Sequence, residues 1–316
     1  MGLSDCLFFC TFAESIIQKM RTETITSGQN PKIKNLLLLQ ERSKARKEQG
    51  LFVVEGRREL EHCIEAGFEI HTVFVCPEIA GEIASILRSE GFEKTNLVSA
   101  TASPARGPVR TARFSHPSDT PDFGNTMIVE VPLPLYQKIA YREGTEGVIA
   151  EVRVKERRLE DLQLPENPLI VVLESVEKPG NLGAVLRSAD AAGADAVIIC
   201  DPLTDLWNPN LIRASIGAVF TVPTVAAPSA EVIPWLKERG IRILTAQLQD
   251  SEWYYETPMT GPTALVMGTE STGLTDAWRV AADAHIRIPM LGRLDSLNVS
   301  VSAAILLFEA VRQRHA

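Results

Sequence analysis

No apolar run in this 316-residue chain reaches the length of a bilayer-spanning helix. The stretch Leu7-Phe8-Phe9-Cys10 is short and follows Asp5 rather than a basic segment, so no cleaved leader is expected. Disulfide and zinc frameworks are missing too. The five cysteines, Cys6, Cys10, Cys63, Cys76 and Cys200, are scattered without a C-x-x-C pair, which points to reduced thiols in the cytoplasm. His62, His71, His116, His285 and His315 are equally dispersed, and no metal site is expected among them. The phosphate fingerprint G-x-G-x-x-G is absent, which disfavours a dinucleotide-dependent enzyme. Excess positive charge is also lacking: the net charge is −8. A nucleic-acid ligand then requires a local basic face on an acidic protein.

What is present is a globular composition, 45% hydrophobic and 23% charged, at a length that favours two domains. Residues 1–27 read as an N-terminal extension, poorly ordered or peripherally packed, with a polar break from Thr24 to Asn30. Residues 28–155 read as a small α/β domain. Its signals are a helix around Leu36–Leu39, a strand Leu51–Val54, a helix through Leu60 and Ile64, a strand Ile70–Val75 and a helix Ile79–Glu90. Between about 100 and 127 the chain turns rich in Pro, Gly, Ser and Thr, the signature of a long loop insertion. The charged segment Arg153–Gln163 reads as a linker.

Residues 165–316 alternate strand and helix signals, the pattern of an α/β domain with a mostly parallel sheet flanked by helices. Continuous apolar runs such as Leu169–Leu173 mark strands buried on both faces. Further strands are expected at Asp195–Cys200, Val219–Val225, Ile241–Ala246, Ala264–Met267 and His285–Ile288. Helices are expected at Asn181–Ala192, Pro209–Ile216, Ala230–Arg239, Asp276–Ala282 and Ser296–Arg314.

Three loops of this domain are chemically unusual. Glu177-Lys178-Pro179-Gly180-Asn181-Leu182-Gly183 leaves a strand and opens a helix that carries Arg187, with small residues that let a ligand approach the backbone. Met267-Gly268-Thr269-Glu270-Ser271-Thr272-Gly273 runs an apolar strand into glycine, carboxylate and glycine, at the strand end where such sheets bind ligands. Ile288-Pro289-Met290 is followed by Asp295-Ser296-Leu297-Asn298-Val299-Ser300, where Ser296 is placed to cap the final helix and Asn298 falls in its first turn. Val301, Ala304, Ile305 and Phe308 form an apolar stripe on that helix, suited to core or to a dimer surface.

Taken in order, N-x-G-A-x-x-R, G-x-E-x-x-G-L and I-P-M with S-L-N-V-S closely resemble the three motifs of the SpoU/TrmH family of RNA 2′-O-ribose methyltransferases. Residues 30–99, with N-P-K-I-K and V-V-E-G-R-R, resemble the small substrate-binding domain that precedes many members. The resemblance implies a deep trefoil knot in the C-terminal part, S-adenosylmethionine as cofactor, and a homodimer whose sites borrow residues across the interface. Asn181, Arg187, Glu270, Ser296 and Asn298 match positions tied to catalysis. Met267, Gly268, Ile288, Met290 and Leu297 match the cofactor loops. Arginine is the family's candidate activator, yet it is a poor base because its pKa exceeds about 12. Arg187 is better read as gripping an RNA phosphate and polarising the hydroxyl.

The RNA itself is expected on the stretch from Lys32 to Arg58. Lys32, Lys34, Arg42, Lys44, Arg46, Lys47, Arg57 and Arg58 there face only Glu41, Glu48, Glu55 and Glu59. The extra N-terminal domain favours ribosomal RNA, with transfer RNA as runner-up. A non-catalytic RNA-binding assembly or resistance factor on the same fold is the competing reading.

Overall fold

The computed structural model describes residues 21–81, 126–141, 146–269 and 272–315. They form two compact units, and the chain passes from one to the other between Val154 and Lys155.

The smaller unit is built on a five-stranded sheet. Its strands are β1 (Arg21–Thr24), β2 (Leu51–Glu55), β3 (Ile70–Val75), β4 (Met127–Glu130) and β5 (Val148–Arg153), in the order β1-β4-β3-β5-β2. β1, β4 and β3 run parallel, and β5 is antiparallel to both β3 and β2. β1 was not expected. It lies in the segment read as an extension and occupies the sheet edge, where the polar pattern Thr22-Glu23-Thr24 is tolerated, and Ile25 behind it enters the core. The expected helix at Ile79–Glu90 begins as Pro77–Ala80, and residues 82–90 lie outside the described residues, as does most of the 100–127 insertion.

The helix Pro31–Glu41 starts where Asn30 accepts a hydrogen bond from the Lys32 amide (2.9 Å) and Pro31 pre-sets the first turn. Ile33, Leu36 and Leu39 bury its inner face against Val53, Phe74, Val129 and Tyr136. A second helix, Ser43–Gln49, carries Arg46 inward. That guanidinium is 3% exposed and donates to the Leu39 carbonyl (2.6 Å) and the Gln40 carbonyl (3.2 Å). It therefore satisfies the orphan carbonyls of the preceding helix. The assignment of Arg46 to the RNA face is overturned: a seven-residue spacing does not reveal which cation turns inward. Arg46→Ala is expected to lower stability by about 2 kcal/mol, as for a lost charged hydrogen bond with buried acceptors left unpaired. A urea melt followed through the smaller unit measures it, and a change within experimental error refutes it.

The larger unit holds seven parallel strands: β6 (Leu169–Glu174), β7 (Ala196–Cys200), β8 (Thr224–Ala227), β9 (Arg242–Ala246), β10 (Glu252–Trp253), β11 (Thr263–Met267) and β12 (Ala284–Arg287). The order is β10-β12-β9-β11-β6-β7-β8. Ile170, Val172, Ile198, Val232, Trp235, Leu236 and Trp278 form one core layer, and Leu159 and Leu162 join it. Part of the segment expected as a linker is thus packed onto this unit.

Two expectations are corrected here. Val219–Val225 is not one strand: Ala218–Thr221 is a short helix after the left-handed Gly217, and β8 begins only at Thr224. Pro223 holds Val222 extended and separates the two. The last helix is Val299–Arg314, capped by Asn298 and not by Ser296. It packs along the helix Pro179–Ala192, and this pair of helices and the strand order set the carboxyl ends of β12, β9, β11 and β6 side by side.

Candidate functional site

The loops that leave β6 and β11 meet the start of the last helix. A cleft of about 190 Å³ lies there, lined by Val176, Glu177, Lys178, Asn181, Gly268, Thr269 and Val299. The helix after β6 begins at Pro179, two residues before the expected start, so Asn181 sits in its first turn. Asn298 Nδ2 donates to Asn181 Oδ1 at 3.1 Å across 117 residues of chain. The other end of the Asn298 side chain accepts from the Ser300 amide (3.0 Å) and the Ser300 hydroxyl (2.6 Å). One residue thus caps the last helix and fixes the orientation of Asn181.

Glycine is required at 268 by the chain itself. A Cβ there would lie 2.2 Å from the Gly273 carbonyl oxygen and 2.6 Å from the Leu274 amide nitrogen. The chain folds back on itself: Thr269 and Gly273 exchange two backbone hydrogen bonds of 3.2 and 3.1 Å, and Gly273 has φ +69°. Gly183, read as an approach point for ligand, is likewise required by packing, since a Cβ would meet Ala214 at 2.6 Å.

A buried carboxylate that sequence reasoning missed anchors this fold-back. Glu174, at the end of β6, accepts from the Thr275 amide (2.8 Å) and the Thr275 hydroxyl (2.7 Å). Its only sequence signal is an acidic residue closing an apolar strand. Nearby, burial pushes the Cys200 thiol up to about 12, with the charges of Asp201 and Glu174 adding to it against a hydrogen bond with Ser229. It stays protonated and is no nucleophile.

The remaining expected residues divide. Met267 is buried in β11, Ile288 and Met290 are half-buried just beyond β12, and Leu297 is exposed. Ser296 is exposed, and its hydroxyl donates to the Asp295 carboxylate at 3.3 Å. Glu270 lies outside the described residues. Arg187 is exposed and stands six residues after Asn181, which places it about 120° round the helix from that residue. The structure does not bring Arg187 to the cleft of its own chain. In the smaller unit Lys34, Arg42, Lys44, Lys47 and Arg58 are exposed. Lys32 is paired with Glu23 at 2.5 Å, and the Arg57 guanidinium donates to the Ala80 carbonyl at 2.8 Å, so these two are already engaged. Among the described residues no His, Cys, Asp and Glu cluster could hold a metal, and no helix is long and apolar enough to cross a membrane.

An adenosyl cofactor fits this sheet end in two respects. The cleft reaches main chain at Gly268. At the end of β9, the carboxamide oxygen of Gln247 is buried and has no hydrogen-bond partner among the described residues.

Comparison with known proteins agrees with this geometry. Residues 168–308 match the model of the SpoU rRNA methylase family, and residues 30–150 match that of an MRM3-like substrate-binding domain. A 23S rRNA (guanosine-2′-O-)-methyltransferase from Vibrio parahaemolyticus is 39% identical over 181 residues, which span 55% of this chain and 73% of that protein. A 23S rRNA (uridine(2479)-2′-O)-methyltransferase from Streptomyces viridochromogenes is 35% identical over 179 residues, 54% of this chain and 62% of that one. The AdoMet-bound rRNA methyltransferase of Sinorhizobium meliloti superposes with a TM-score of 0.73 at 28% identity, covering 92% of this chain and 98% of that one.

Proposed function

Because this chain belongs to the SpoU rRNA methylase family, we propose that it transfers a methyl group from S-adenosylmethionine to a ribose 2′-hydroxyl of ribosomal RNA. The observation that carries the reading is the meeting of motif loops at one cleft, whose lining residue Asn181 is joined to Asn298. The relatives methylate a guanosine in one case and a uridine in the other, so the ribose is their common target and the base is not.

When bound, S-adenosylmethionine supplies a methyl already activated by positive sulfur. The protein's task is then to align the hydroxyl and ease departure of its proton. The Asn181–Asn298 pair presents a fixed polar edge to the ribose, and Lys178, which lines the same cleft, supplies a counter-charge for the RNA backbone. Arg187 grips phosphate with its planar fork and donates to the hydroxyl oxygen, which weakens the hold on the proton before water takes it.

Since Arg187 is exposed and does not line its own chain's cleft, it acts in a neighbouring subunit's site. The final helix supports such a dimer: Val301 and Phe308 are 46% and 49% exposed on one stripe with the half-buried Ala304 and Ile305. Two exposed and two half-buried apolar residues at helical spacing favour burial against a second copy. The trefoil knot that the motif resemblance implies belongs to the same proposal.

The exposed cations of the smaller unit hold the RNA. Replacing Arg42, Lys44 and Lys47 with glutamine is expected to weaken RNA binding about tenfold or more at low salt and flatten its salt dependence, because fewer counterions are released. Cofactor affinity stays unchanged. Filter binding across a salt series measures this, and an unaltered slope means that these cations only solvate the helix.

The function is tested by incubating the protein with labelled S-adenosylmethionine and unmodified 23S rRNA or bulk tRNA, then mapping 2′-O-methylation. A single ribose in 23S rRNA is the expected product. Modification of tRNA instead moves the substrate to the runner-up. Cofactor binding without transfer to either RNA favours the non-catalytic factor.

A further inference from the structure

Gln247 follows β9 and carries an acceptor that the chain leaves unused. Its Nε2 donates to the Gln249 carbonyl at 2.9 Å, which fixes which end of the carboxamide is nitrogen. Its Oε1 is buried without a partner among the described residues. A buried orphan acceptor is costly, and at a sheet end where a ligand is expected a ligand donor is one way to satisfy it.

Sheet register says which ligand lies there. β9 stands between β12 and β11. Ala246 pairs with Ile286, and the Gln247 amide donates to the Ile286 carbonyl at 3.0 Å. On the other side Thr245 pairs with Val266, so Gln247 is level with Gly268. Gln247 is therefore flanked by the two strand ends that run into the cofactor loops at Gly268 and Ile288. This inference rests on the proposed use of S-adenosylmethionine.

We propose that Gln247 Oε1 accepts a hydrogen bond from the exocyclic 6-amino group of the cofactor's adenine, and so selects adenine over other purines. The cofactor's donors are that amine, two ribose hydroxyls and the charged ammonium. An ammonium in a buried position would need a counter-charge, and Gln247 is neutral. The neighbours Met267 and Ile286 are buried and apolar, which suits a flat base. Carboxamide oxygen to adenine amine is also a favoured pairing in base recognition.

The test compares S-adenosylhomocysteine with S-inosylhomocysteine, which carries a carbonyl oxygen where adenine has the amine. Calorimetry on the full-length protein is expected to show the inosyl compound bound at least tenfold more weakly. Gln247→Leu is expected to bind S-adenosylhomocysteine about tenfold more weakly and to discriminate little between the two. Equal affinity of the parent protein for both compounds overturns the assignment, whatever the variant does. So does a folded Gln247→Leu that keeps the parent's preference. Failure of the parent to bind S-adenosylhomocysteine at all would instead strike the cofactor reading on which this rests.

Discussion

Gly268→Ala will melt at a lower temperature than the parent and lose at least about a hundredfold in affinity for S-adenosylhomocysteine, a penalty of roughly 3 kcal/mol. The cause is internal. The added Cβ meets backbone, at 2.2 and 2.3 Å from the carbonyl oxygen and carbon of Gly273, and backbone gives way less readily than the tip of a side chain. The fold-back must open, which breaks the Thr269–Gly273 exchange and the bond from the Thr272 amide to the Thr269 hydroxyl (3.0 Å). It also pulls on Thr275, which Glu174 holds at the end of β6. The wall of the cleft moves with it. Gly180→Ala is the matched control: its Cβ meets nothing within 4 Å in the first turn of a helix, so it should melt no lower than the parent. Calorimetric affinities and melting curves of the two variants decide the matter. A Gly268→Ala protein with parental affinity would remove this loop from the cofactor site.

That explanation could not be read from the sequence, and the reason is general to this molecule. Strands β6, β7 and β11 were legible because each is essentially a continuous apolar run, and burial on both faces leaves no other economical home for such runs. β10 was not, because two residues carry no period; it is held by pairing with β12 and by the Arg287 guanidinium lying 4.2 Å over the Trp253 ring. Motif order indicated which loops belong together. It did not indicate which side chains touch, since the Asn181–Asn298 contact depends on how the last helix lies along the helix Pro179–Ala192. Ser296 and Asn298 were both competent caps by residue type, and only backbone geometry chose between them. Arg46 failed for the same kind of reason: charge is visible in sequence, and the direction of a side chain is not. Single polar residues after apolar strands, such as Glu174 and Gln247, look like ordinary strand ends until their partners, or lack of partners, are seen.

The largest effect on catalysis is expected at Arg187. Arg187 is exposed and is not among the residues that line the cleft of its own chain, so its loss is expected to remove no cofactor contact. Arg187→Ala should therefore bind S-adenosylhomocysteine normally and lose methyl transfer by two or more orders of magnitude, about 3 kcal/mol of transition-state stabilisation. Arg187→Lys should also be badly impaired, because an ammonium keeps the charge and lacks the planar fork. Single-turnover assays with enzyme in excess separate the chemical step from RNA affinity. Near-normal transfer by Arg187→Ala removes it from the mechanism. Near-normal transfer by Arg187→Lys alone says that charge suffices. Mixing tests where Arg187 acts. If each site takes Asn181 from one chain and Arg187 from the other, co-refolding Arg187→Ala with Asn181→Ala yields mixed dimers with one intact site, and roughly a quarter of parental activity returns. If both residues serve the same chain's site, every site in the mixture lacks one of them and no activity returns.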